Sequence, residues 1–148
     1  MSLVDATLVV VALVAFAAAL GALYRWRQGR ARHEVPHETV DAARLGADVR
    51  FGEHATLLQF STDLCAKCPG VHRMLDSFAE ARPGVAHVDV DVTHRADLAA
   101  HFHVLQTPTT LILDRSGVVR TRIGGVPRRD VIELELARVT ASKEPLHV

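Results

Sequence analysis

The stretch LVVVALVAFAAALGAL, Leu8–Leu23, carries no charged side chain. With Ala6 and Thr7 it reaches the roughly 17–25 residues that a membrane-spanning helix needs. A core helix of a soluble protein keeps a polar stripe, and this run has none. A cleaved signal peptide opens on a basic stretch, whereas MSLVD offers an aspartate. Residues 6–24 are therefore expected to form a retained single-pass helix in a lipid bilayer, after a short tail at 1–5. Tyr24 and Trp26 close the run, where amphipathic rings favour the headgroup layer. Arg25, Arg27, Arg30 and Arg32 follow, while the opposite flank has only the α-amine. The excess of basic residues on inner loops places the rest of the chain on the cytoplasmic side of the cell membrane. The arginines read as a topology signal before they read as a lipid-binding patch.

Residues 25–46 are expected to be a basic juxtamembrane segment and linker, with Thr39 capping a short helix that Gly46 ends. Residues 47–142 form the expected globular domain, followed by a tail at 143–148. Seventeen Lys and Arg balance seventeen Asp and Glu, so the net charge gives no hint of nucleic acid binding and none is expected as a partner. The chain shows no internal repeat. Thr56–Phe60 is an apolar strand suited to cover on both faces. Val71, Met74, Leu75 and Phe78 recur at helical spacing, and Arg82–Gly84 stops that helix. Val85–Val92 alternates as a second strand. Ala96–Val104 is a short helix with Leu98 and Phe102 on one side. Thr109–Asp114 and Val118–Gly124 are two strands joined at Arg115–Gly117. Val126–Ala141 is a terminal helix with Pro127 in its opening turn and Val131, Leu134 and Leu136 on its apolar side. The order β-α-β-α-β-β-α predicts an α/β fold, a small mixed sheet with helices on both faces. Both crossovers are expected to give parallel strands, and the last strand an antiparallel hairpin.

Both cysteines of the chain, Cys65 and Cys68, lie in STDLCAKCPG, with Lys67 between them. A CxxC pair serves as a redox couple, as half of a metal site, or as two inert thiols. Here Cys65 follows a strand and opens a helix, where free N–H groups and the helix dipole favour a thiolate. Two intervening residues permit a disulfide across one turn. His72 extends the pattern to C-x2-C-x3-H and His54 precedes the strand, so zinc or copper ligation stays open. A solvated surface role is the simpler account of His72, and of His94, His101 and His103. Gly124–Gly125 reads as a turn.

From about Thr56 to Ala141 the chain resembles the thioredoxin family. The resemblance rests on CAKC after a hydrophobic strand, Thr107-Pro108-Thr109 before a later one, and Gly124 after the hairpin. It implies a thioredoxin-like sheet and a redox-active disulfide in which Cys65 attacks and Cys68 resolves. It also implies a cis bond before Pro108, and Thr107 offering backbone polar groups to an extended substrate. Leu64 stands where the family usually has tryptophan, Ala66–Lys67 where it has Gly-Pro, and Gln59 where it has a buried acid. Pro69 follows the second cysteine, and its missing N–H is expected to deform the helix there. Lys67, Gln59, Leu64 and Pro69 are accordingly expected to modulate the pair. The implied activity is thiol–disulfide oxidoreduction of a protein disulfide or dithiol, recharged by an upstream redox partner, with no cofactor and no metal. The competing function is a non-enzymatic module of the same fold that binds a membrane partner or a soft metal ion.

Overall fold

In the computed structural model, residues 3–27, 31–33 and 38–141 are described. Part of the expected N-terminal tail, Arg30 and the tail at 143–148 lie outside them. The first element, α1 (Leu3–Arg27), includes an apolar stretch, Val4–Tyr24, of 21 residues, long enough to cross a membrane and with none of it buried. The domain that follows contains β1 (Ala31–His33), α2 (Ala42–Leu45), β2 (Ala55–Ser61), α3 (Cys68–Glu80), β3 (Val85–Asp91), α4 (Ala96–His101), β4 (Thr109–Asp114), β5 (Val119–Gly124) and α5 (Arg129–Ala141). The sheet order is β1-β5-β4-β2-β3.

Strand β2 lies inside the sheet, and its first six residues are fully covered. Its side chains alternate between two cores. Leu58 and Phe60 join Leu98 and Phe102 from the α4 region, with Val40 and Leu45 from the α2 region. Ala55 and Leu57 join Val71, Leu75 and Phe78 of α3 and Ile132, Leu136 and Val139 of α5. The α/β layering expected from the element order is therefore present, with helices on both faces of a mixed sheet.

Four local expectations are corrected. The first crossover does give a parallel pair, β2 with β3, but β4 runs antiparallel to β2. A six-residue helix such as α4 rises only about 9 Å, while a seven-residue strand spans about 23 Å. Helix α4 cannot carry the chain back along the sheet, so β4 enters at the end where β3 leaves it. That end also holds the cysteines, and Phe60 pairs there with Thr109.

Second, Thr39 does not cap α2. Residues 38–40 are drawn into extended pairing with the β4–β5 hairpin, through Val40 N–H to Gly117 O at 2.8 Å and Val119 N–H to Glu38 O at 2.9 Å. Asp41 takes the cap, its carboxylate accepting from Ala43 N–H at 3.0 Å, and Gly46 ends the helix as expected.

Third, α3 opens at Cys68 and not at Cys65. Pro69 thus occupies the first turn, where a missing N–H breaks no helical hydrogen bond and the fixed φ suits the helix. Its ring deforms nothing there. Fourth, α5 begins at Arg129, beyond Pro127, and buries Ile132, Glu135, Leu136 and Val139. Leu134 points to solvent, because a residue two positions from both Ile132 and Leu136 falls on the opposite side of a helix.

Candidate redox site

Strand β2 ends at Ser61, and the chain then turns sharply before α3. Cys65 N–H donates to Thr62 O at 3.0 Å, and Cys68 N–H donates to Cys65 O at 3.1 Å. This tight turn brings the two Cα atoms within 5.4 Å, and Cys65 and Cys68 form a disulfide. The positive end of α3 faces the turn that carries Cys65, because the free N–H groups of a first helical turn point out along its axis. The two sulfur-bearing residues are unequal in access. Cys65 is half-buried, whereas Cys68 is 4% exposed.

The residues expected to modulate the pair divide between rim and floor. Leu64, Lys67 and Pro69 are exposed beside the disulfide, Leu64 at 96%. Gln59 is fully buried, one of the floor positions, and its Nε2 donates to Cys68 O at 3.2 Å. Its Oε1 has no partner among the described residues, and neither does Oγ1 of Thr110. The two residues are register partners on β2 and β4. A pair of unsatisfied buried oxygens is uncommon in a folded interior.

The loop before β4 completes the site. The Thr107–Pro108 peptide bond is cis. The hydroxyls of Thr62 and Thr107 are 3.1 Å apart, which ties the loop before Cys65 to the loop before Pro108. Gly125 N–H donates to Pro108 O at 2.8 Å. The missing side chain at Gly124 lets Gln106 lie close, since a Cβ there would meet Gln106 Nε2 at 2.5 Å and push that amide aside. Cys65, Cys68, Thr107, Pro108 and Gln59 are thus brought to one end of the sheet.

Sequence reasoning named His72, Lys67 and Pro69 near the pair but missed the acidic groups Asp63, Asp89 and Asp91, and Arg73, that surround it. A groove on the β3 side of the disulfide is lined by both cysteines with Asp63, His72, Arg73, Asp89 and Asp91. Asp91 is held below the usual carboxylate range, first by the Thr93 hydroxyl and then by the Thr93 backbone N–H. A second groove runs past Lys67, Pro69, Arg73, Met74 and Val126. Thr62 and the strand positions Asp89 and Asp91 carry no spacing signal in the sequence, because only the sheet sets them beside the cysteines.

The thioredoxin family profile matches residues 37–137. The chain belongs to the thioredoxin family. It is 31% identical over 83 residues to Thioredoxin C-2 of Corynebacterium nephridii, a match spanning 55% of this chain and 77% of that one. In structure it is similar to a mutant thioredoxin from Halobacterium salinarum, with a TM-score of 0.53 and 21% identity over 64% of this chain and 80% of that one. It is similarly close to the Fasciola hepatica thioredoxin, with a TM-score of 0.51 and 21% identity over 59% and 82% of the two chains. At that identity the structural likeness speaks for the fold alone. Membership in the thioredoxin family together with a closely spaced cysteine pair supports a redox function.

Proposed function

We propose that the chain is a membrane-tethered thiol–disulfide oxidoreductase. The observation that carries this reading is the Cys65–Cys68 disulfide at the opening of α3, with one sulfur-bearing residue accessible and the other covered. In the reducing direction the Cys65 thiolate attacks one sulfur of a partner's disulfide. A mixed disulfide forms and the partner's other sulfur leaves as a thiolate, taking up a proton. Cys68 loses its proton and attacks the Cys65 sulfur, which releases the partner as a dithiol and leaves Cys65–Cys68 oxidised. A dithiol of an upstream protein then reduces the pair again.

Thr107 and Pro108 are the proposed seat of the partner's extended backbone. Leu64, 96% exposed beside the disulfide, and Val126, in the groove with Lys67 and Pro69, supply apolar contact. Lys67 adds a positive charge on the rim. Gln59 is proposed to hold the start of α3 through Cys68 O, without serving as a base. The Cys68 proton is proposed to leave to solvent or to the partner's departing thiolate, not to a protein base.

The helix at Val4–Tyr24 is the proposed anchor, with the arginines after it holding the domain on the cytoplasmic side. That compartment keeps thiols reduced and so favours the reducing direction. Residues 6–24 are proposed as the span and 25–46 as the juxtamembrane segment and linker, whose β1 and α2 dock on the body of the domain at 47–142. The test is turnover of a small aromatic disulfide by the full chain in detergent, driven by an added dithiol reductant. Catalysis above the reductant's own rate, lost in Cys65→Ser, supports the proposal. Absence of turnover in folded protein leaves the non-enzymatic module as the function.

A further inference from the structure

Four side chains gather at the seam between α3 and β3, one helical turn beyond Cys68. His72 and Asp76 stand one turn apart on α3. His87 and Asp89 stand two apart on β3 and so share a face. Asp76 receives both imidazoles: His72 Nε2 lies 3.1 Å from its Oδ2, and His87 Nδ1 lies 2.6 Å from its Oδ1. The ligand atoms of His72, Asp76 and His87 all lie within 4.8 Å of one another. Asp89 Oδ2 sits 3.0 Å from the other nitrogen of His72.

This arrangement leaves His72 between two carboxylates, one at each ring nitrogen. If Nδ1–H donates to Asp89, Nε2 turns a lone pair toward the carboxylate of Asp76. A cation placed between the two relieves that contact. The His87 ring is also aimed at Asp76, edge-on to His72 with centroids 4.8 Å apart. The His87 side chain is 3% exposed, so bulk water does not serve its Nδ1. One dication satisfies both nitrogens and the carboxylate together. His87 also stands on the strand face that carries Val85 toward α3, a place where an apolar side chain would pack without cost.

We propose that His72, Asp76 and His87 bind a borderline divalent transition-metal ion, with zinc as the representative. Two imidazole nitrogens and a carboxylate oxygen are a donor set that zinc accepts, at bonds of roughly 2.0–2.2 Å, with water in the fourth position. Asp89 holds the outer nitrogen of His72, the carboxylate–histidine–metal arrangement that fixes tautomer and ring orientation. The site is separate from the cysteines, whose sulfurs are engaged with each other. It shares a wall with them, since His72 and Asp89 also line the groove beside the disulfide. A bound dication therefore places positive charge at the mouth through which a partner's disulfide arrives.

The test uses the full oxidised chain in detergent, stripped of metal and titrated with zinc, with cobalt as the spectroscopic probe. One equivalent of zinc is expected, also in the Cys65→Ser/Cys68→Ser double variant. Bound cobalt is expected to show weak visible bands without intense sulfur charge-transfer absorption. His72→Gln and Asp76→Asn alter a helix face that is about half exposed and keep the metal-free fold, checked by circular dichroism. Asp89→Asn is expected to weaken binding by about 10–100-fold, and His72→Gln and Asp76→Asn by more. No stoichiometric uptake overturns the assignment. So does uptake that both ligand variants leave unchanged, or uptake lost with the cysteines.

Discussion

Gln59 lies beneath the disulfide with one amide nitrogen on Cys68 O and an oxygen that no described residue meets. An amide there can position the cysteine turn but cannot take a proton near neutral pH. Gln59→Glu inserts a carboxyl of nearly the same shape against the Cys68 carbonyl, in a buried place. Burial and the facing carbonyl raise its folded-state pKa above the ordinary value near 4.3. The folded protein then binds more protons than the unfolded chain between the two pKa values. Stability is expected to be intact below about pH 4, to fall as pH rises through that window, and to level off above the folded pKa. Thermal unfolding between pH 4 and 8 reads this directly, and disulfide reduction by the variant should gain a pH inflection. A flat stability profile would show that position 59 is not isolated from solvent. At the same scale, Cys68→Ser should accumulate mixed disulfides with protein partners through Cys65, while Cys65→Ser should trap almost none. Equal trapping by the two variants removes the proposed division of labour.

At the level of elements, helix α5 shows how packing selects among plausible faces. Leu134 and Leu136 are equally apolar in the sequence, but only Leu136 enters the core shared with α3 and β2. Leu136→Ala should cost about 2–5 kcal/mol, and Leu134→Ala less than about 0.5 kcal/mol. Chemical denaturation of the two variants separates these outcomes, and equal losses would mean that the helix is rotated. Helix α2 is so short that its cap carries much of its definition. Asp41→Ala is expected to lower stability by about 1 kcal/mol. Loss of the Thr39 side chain should do little by this route, because its backbone, in a bridge to Val118, does the pairing.

For the molecule as a whole, the apolar helix and the sheet set where the chain can be cut. Strand β1 pairs with β5 through Ala31, Arg32 and His33. A chain beginning at residue 28 should be soluble and keep that pairing. One beginning at residue 38 uncovers the β5 edge and should aggregate more readily, since an unpaired strand recruits others. Sedimentation of the two proteins tests this. The full chain should stay with membranes after alkaline carbonate washing, and its release would remove the anchor. In cells stripped of any outer barrier, a membrane-impermeant maleimide should leave Cys65 unlabelled until lysis. Labelling before lysis would place the domain outside.

Much of this could be read along the chain because the deciding physics is local. Charge-free length marks residues 6–24, and period-3.6 apolar spacing marks α3. The CxxC at a strand-to-helix junction marks the disulfide, and the cis bond before Pro108 follows from the thioredoxin resemblance. The remainder depends on which segments become neighbours. The direction of β4 follows from how little distance α4 can cover, a property of lengths in space and not of residue type. The capping of α2 by Asp41 follows from pairing between residues 38–40 and a hairpin far along the chain. His72 reads alone as a surface histidine. It becomes part of a cluster only because β3, parallel to β2, brings His87 and Asp89 against α3. Local chemistry named the cysteines, and tertiary packing supplied their surroundings, because contacts across tens of residues leave no period in a sequence.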